Sequence, residues 1–200
     1  LRYFRFFTQY SKTNHDQVTI GSIKRYVNGL NKISNERIFV ELKKILGLRN
    51  IYDLFFQKIS QEIILNIFPQ FKYYKRLKIV NDLNKKLRVM CDSDLILALL
   101  IIDETNEHEY FFHKYKMPNR IKNRLKNISK NFENLKSKKF YTKENIKKLI
   151  YFSNKNYVKD LLFFSIFINN KVKILDIEKL IDYVDICKIP KFPISGDFLK

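Results

Sequence analysis

Glycine and proline are scarce, at four of each in 200 residues. A β-sandwich or barrel needs tight turns at short intervals, so this shortage excludes a turn-rich β fold and points to helices. Tryptophan is absent, and cysteine occurs only as Cys91 and Cys187. The two cysteines lie far apart and match no metal or redox spacing, so each reads as a small apolar residue in a reducing cytoplasm. Long apolar runs are missing as well. The longest, Leu95–Ile102 and Leu161–Ile168, are bounded by Asp94/Asp103 and Asp160/Asn169. Each is far below the roughly 20 residues that span a bilayer, so they predict buried helix segments rather than a signal peptide or transmembrane helix.

Catalytic signatures are absent too. No phosphate-binding glycine loop, dinucleotide fingerprint, zinc-protease helix or nucleophile elbow occurs in the chain. A two-metal phosphoryl-transfer site needs clustered carboxylates. The nearest candidates are Asp92/Asp94 and Asp103/Glu104, and Asp94, directly after Ser93, reads as a carboxylate at a helix start. His108 and His113 are five residues apart and point away from each other on a helix, so they read as surface histidines among acids. His15 beside Asp16 reads as part of a cap. No catalytic residue and no metal ligand is assigned.

Acidic residues are few relative to basic ones: 39 Lys and Arg face 20 Asp and Glu, for a formal charge of +19. An AT-rich genome would raise Glu along with Lys, so base composition explains the lysines better than it explains the excess. A surplus of this size attracts polyanions, with nucleic acid as the commonest partner and an anionic membrane surface as the competitor. The excess is also uneven. His113–Lys148 holds thirteen Lys and Arg against two Glu. Within that block, Arg120, Lys122, Arg124 and Lys126 are candidate RNA-binding residues on a basic amphipathic helix.

With 46% hydrophobic residues the chain can bury a core. Nearly every segment carries helical period. Asp16 caps a helix running to about Asn28 and ended by Gly29. Ser34 caps the next, with Ile38, Leu42 and Ile45 on one face. Single helices are expected over Asn50–Gln61 and Tyr74–Met90, then from Ser93 through Ile102, over Thr105–Lys116 and over Asn119–Lys136. Thr142 and Glu144 open another, followed by Asn156–Ile168 and Asp176–Val184, with an irregular tail from Ile189-Pro190. The fold class is therefore all-α, an irregular array of roughly nine to eleven helices. In the first helix Tyr3, Phe6, Phe7 and Tyr10 step as a core-facing stripe, with Arg2 and Arg5 turned outwards. No cap precedes Leu1, which implies that sequence has been removed upstream.

An ordered series in the first fifty residues carries a family resemblance. It comprises Leu1-Arg2-Tyr3-Phe4-Arg5-Phe6-Phe7, His15-Asp16, Gly29-Leu30, Ile33-Ser34-Asn35-Glu36-Arg37-Ile38 and Glu41-Leu42-Lys43-Lys44-Ile45-Leu46. This resembles the bacterial-type (class II) tRNA nucleotidyltransferases, or CCA-adding enzymes, and their poly(A) polymerase relatives. Phe192-Pro193-Ile194-Ser195-Gly196-Asp197 is similar to a motif near that family's C-terminal end. Between about residue 60 and 188 the likeness is limited to helical character.

The resemblance implies a neck and RNA-binding helical region at residues 1–70 and a body and tail region at 71–200. It also implies a catalytic head, with a D-x-D metal site, Mg and CTP or ATP, and an E-D-x-x-R motif just before Leu1; no E-D-x-x-R occurs in the chain, and its D-x-D, Asp92-Ser93-Asp94, reads as a helix start rather than a metal pair. The function it implies is positioning of tRNA acceptor ends or other RNA 3′ ends, within tRNA processing in the cytoplasm. By this reading the chain alone is inactive in nucleotide transfer, and a separately encoded head is a possible partner. Arg2 and Arg5 match the family's neck helix, and Arg37 and Lys44 match its second motif, which makes these four RNA-binding candidates. The alternative is a stand-alone basic helical module that binds RNA, an anionic membrane surface or a protein partner without an enzymatic role.

Overall fold

The structure is a computed structural model that describes residues 1–11 and 14–188. It is all-α: the described residues form thirteen α-helices and four short 3₁₀ helices, without strands. They divide into two compact units, Leu1–Phe132 and Glu133 onwards. The first holds α1 (Arg2–Tyr10), α2 (Gln17–Tyr26), α3 (Asn35–Leu46), α4 (Ile51–Phe56), α5 (Lys58–Ile67), α6 (Leu77–Asp82), α7 (Lys85–Met90), α8 (Ser93–Ile101), α9 (Glu107–Lys114) and α10 (Asn119–Lys130). The second holds α11 (Lys143–Phe152), α12 (Lys155–Ile168) and α13 (Ile174–Ile186). None of these helices is long and apolar enough to cross a membrane. The Phe192–Asp197 motif lies outside the described residues.

Caps set the helix starts. Asp16 accepts from the Thr19 N–H, Ser34 from Arg37 and Thr142 from Asn145, as the sequence predicts. Elsewhere short polar side chains interrupt expected helices. Asn84, in extended conformation, accepts from the Leu87 N–H and divides Tyr74–Met90 into a 3₁₀ turn, α6 and α7. At Gln57 the backbone turns extended, so Asn50–Gln61 becomes α4 and α5, and the Gln61 side-chain amide satisfies the freed Phe55 carbonyl at 2.7 Å. α8 opens at Ser93, as the sequence predicts, and Asp92 caps it, accepting from the Asp94 and Leu95 N–H groups. Gly29 does not end a helix with a left-handed turn; it lies inside a 3₁₀ helix, Val27–Lys32. The basic helix ends at Lys130, and beyond it Phe132 is buried in the first unit and Leu135 in the second.

The first unit is built around α8. Every side chain from Asp94 to Ile102 is buried, as expected of a helix that is apolar all round. Its C-terminal carbonyls are closed by Arg76, whose Nη1 donates to Leu99 O at 3.1 Å and Ile102 O at 2.7 Å while its guanidinium lies over the Tyr73 ring. In the second unit α12 is the buried element, with Leu161–Phe167 inaccessible and α11 and α13 packed on it. Tyr141 and Asn169 both donate to the Leu135 carbonyl and tie the 3₁₀ turn Asn134–Lys136 into this unit.

One backbone position is strained. Lys116, directly after α9, has φ 46°, in the left-handed region where a side chain costs about 1–2 kcal/mol. Met117 N–H bonds to Phe112 O and Lys116 N–H to His113 O, the two bonds of a Schellman turn that usually has glycine at this place. Met117, buried, supplies the hydrophobic contact of the motif, and Pro118 prevents continuation. The Lys116 side chain pairs with Glu36 at 2.7 Å, but both groups are exposed and such pairs are worth little. Lys116→Gly is therefore expected to raise the unfolding free energy by about 0.5–1 kcal/mol relative to Lys116→Ala, as read by urea denaturation.

Candidate nucleic-acid interface

Helix α3 positions the candidate residues. Ser34 fixes its start, and Ile38, Phe39, Leu42, Ile45 and Leu46 bury one side of it. The opposite arc carries Glu36, Arg37, Val40 and Lys44, all exposed. At one edge of that arc stands Glu41, itself buried. It accepts from Arg5 Nε of α1 at 2.5 Å, with Arg2 at 3.9 Å and Lys44 at 3.8 Å from its other oxygen. At the other edge, Lys43 Nζ contacts Asp94 at the start of α8. Asp94 is 3% exposed and also faces α10, with Arg124 at 3.4 Å and Arg120 at 3.7 Å. Arg124 reaches Asp92 at 2.6 Å as well. Helices α1 and α10 therefore flank the exposed arc of α3, and the three helices form one basic face of the first unit.

The eight candidate residues divide accordingly. Arg2, Arg5, Arg37, Lys44, Arg120 and Arg124 belong to this face. Lys122 and Lys126 lie on the other flank of α10, where Lys126 pairs with Glu109 of α9 at 2.9 Å. Within the face, Arg5 and Arg124 are largely buried and held by carboxylates, whereas Arg2 and Arg120 are about four-fifths exposed. The first pair is tied into the packing and the second stands open to solvent. The basic block His113–Lys148 is also shared out: Lys114 to Lys130 lie in the first unit and Lys136 to Lys148 in the second.

Several residues occupy places their local sequence did not indicate. In α1 the core ring is Phe4, fully buried, while Phe6 and Tyr10 of the expected core stripe are exposed. The Arg5–Glu41 pair fixes this rotation, and Arg2, Phe6 and Tyr10, at spacing i, i+4, i+8, share the outer stripe. His15 is buried rather than part of the cap. It bonds the Tyr3 hydroxyl at 3.0 Å and Ser60 Oγ at 2.5 Å and stacks on Phe7 at 3.7 Å, joining α1 to α5. His108 is not a surface histidine: it is 3% exposed, meets Phe112 edge-on, and its Nδ1 finds no partner. Burial pushes both imidazoles below their ordinary value. Burial likewise pushes the Cys91 thiol up to about 12, which keeps it protonated and inert. No group of three or more His, Cys, Asp or Glu among the described residues could hold a metal ion.

The arrangement is a basic helical surface in which Glu41 and Asp94 are buried against the cations while Glu36 stays exposed. Comparison with protein families gives a matching class. Residues 16–75 match the family model described as "probable RNA and SrmB-binding site of polymerase A". The matched span runs from the cap of α2 past α5 and contains the whole of α3. It supports the poly(A) polymerase-type RNA-binding region that the first fifty residues resemble. A comparison with curated proteins found no match.

Two outcomes follow from this geometry. Asp94→Ala leaves Lys43 and Arg124 facing each other without their shared carboxylate. It is expected to cost about 3 kcal/mol in urea denaturation, more than Asp92→Ala. The second concerns pH. His15 and His108 have lowered values in the folded chain and an ordinary value near 6.5 when unfolded. The unfolded chain binds more protons, so their contribution to stability is complete above pH 6.5 and is lost as pH falls through the lowered values. Denaturation midpoints should fall between pH 7 and pH 5, and His108→Leu should flatten that slope.

Proposed function

We propose that this chain grips RNA through the α1–α3–α10 face and positions a tRNA acceptor end, or another RNA 3′ end, for nucleotide addition by a head domain of the CCA-adding or poly(A) polymerase type. One observation carries the reading: α3, inside the matched RNA-binding span, presents its exposed arc between cations contributed by α1 and α10. In this reading residues 1–70 are the neck and RNA-binding region, 71–200 form the body and tail, and the setting is cytoplasmic tRNA processing. Exposed Arg2, Arg37, Lys44 and Arg120 contact phosphates. Arg5 and Arg124, locked to Glu41 and to Asp92 and Asp94, hold the helices at the spacing those contacts need. Such contacts set affinity and register and carry no base sequence by themselves.

Binding of this kind releases counterions, so affinity for tRNA should fall steeply with salt, by an order of magnitude or more between 50 and 200 mM. Arg37→Glu/Lys44→Glu/Arg120→Glu should weaken binding at least tenfold, and Lys122→Glu/Lys126→Glu distinctly less, in filter-binding titrations. An affinity flat across that salt range would sink the proposal, as would capture of the chain by anionic liposomes in preference to tRNA. The chain alone is expected to incorporate neither CTP nor ATP into tRNA.

A further inference from the structure

Phosphate binding leaves one feature of this face unexplained. Phe6 and Tyr10 stand exposed on α1, at 48% and 69%. Their rings are nearly parallel, 20° between planes with centroids 6.2 Å apart, and the Arg5 guanidinium lies 4.3 Å from the Phe6 centroid. Phe4 already provides this helix with its buried aromatic. The outer rings therefore add apolar surface in water without adding to the core. Among the described residues a second exposed aromatic pair, Tyr151 and Phe152 in the second unit, meets edge-on at 88°.

We propose that Phe6 and Tyr10 form a stacking platform for unpaired RNA bases, an inference that rests on the reading of this face as RNA-binding. Charge decides the occupant. Beside the rings, Arg2, Arg5 and Lys44 all converge on the single carboxylate of Glu41, which leaves a local excess of cations. A purely apolar partner gains nothing from that excess. A nucleotide uses both parts, its base on the rings and its phosphate on Arg2 or Lys44. Every base has a π face, so the platform is indifferent to base identity, but a duplex hides those faces in its own stack. The stripe therefore selects single-stranded RNA and 3′ overhangs over blunt duplex.

The full chain is titrated by fluorescence anisotropy with a labelled single-stranded oligoribonucleotide and with a blunt hairpin of equal length. Failure of the wild-type chain to bind either RNA removes the RNA reading itself. Given binding, Phe6→Leu/Tyr10→Leu keeps the charge and apolar bulk while removing the rings. It is expected to weaken the single strand about tenfold or more and the hairpin by less than about twofold. Equal losses on both RNAs, or no loss on the single strand, would overturn the platform and leave phosphate binding standing. A second measurement needs no variant: 2-aminopurine at the RNA 3′ end should be quenched by the wild-type chain through stacking. Full binding without quenching would overturn the proposal.

Discussion

The buried carboxylate of Asp94 is the contact on which the first unit's basic face depends. It stands at the N-terminus of the most apolar helix, where a negative charge is favoured by the helix dipole, and it is almost inaccessible to water. A charge so placed must be compensated, and the compensation comes from Lys43 on α3 and from Arg120 and Arg124 on α10. Two helices distant in sequence are thereby drawn to one point. Glu41 does the same on the far side of α3 with Arg5 of α1. The basic surface is thus organised by two buried acids, each drawing cations from more than one helix.

Much of this was legible in the sequence, and the limits have a physical pattern. Helix class and the caps at Asp16, Ser34 and Thr142 depend on neighbours within four residues and were readable. The buried runs Leu95–Ile102 and Leu161–Ile168 were readable too, because a segment without polar positions has only one environment open to it. The ends at Asn84 and Gln57 were not, since both residues fit a helix by periodicity; Asn84 breaks it by capping Leu87, and at Gln57 the backbone turns extended while Gln61 satisfies the freed Phe55 carbonyl.

The candidate site was legible in part. Arg37, Lys44 and Arg120 are exposed cations on one face, but the basic count of α10 did not reveal that Arg124 faces Asp92 and Asp94 while Lys126 faces Glu109. The rotation of α1 was hidden as well. Tyr3, Phe6, Phe7 and Tyr10 form an acceptable apolar stripe, but Phe4 is the ring turned inward, alongside the bond of Arg5 to Glu41, 36 positions away. The burial of His15 came from partners in elements remote in sequence, and that of His108 was not indicated by its acidic neighbours. His15 bonds a serine 45 residues away.

A helix that is apolar on every side has no polar stripe to choose its rotation and no side-chain pattern to fix its position along its own axis; to the surrounding core it is close to a greased rod. In α8 the two ends provide what the middle lacks. Asp94 is held at one end by cations from α3 and α10, and Arg76 grips the final carbonyls at the other. Sliding by one residue or turning by one position would separate both sets of charges from their partners. The polar termini thus specify the register of the core, and the interchangeable leucines and isoleucines between them supply its cohesion.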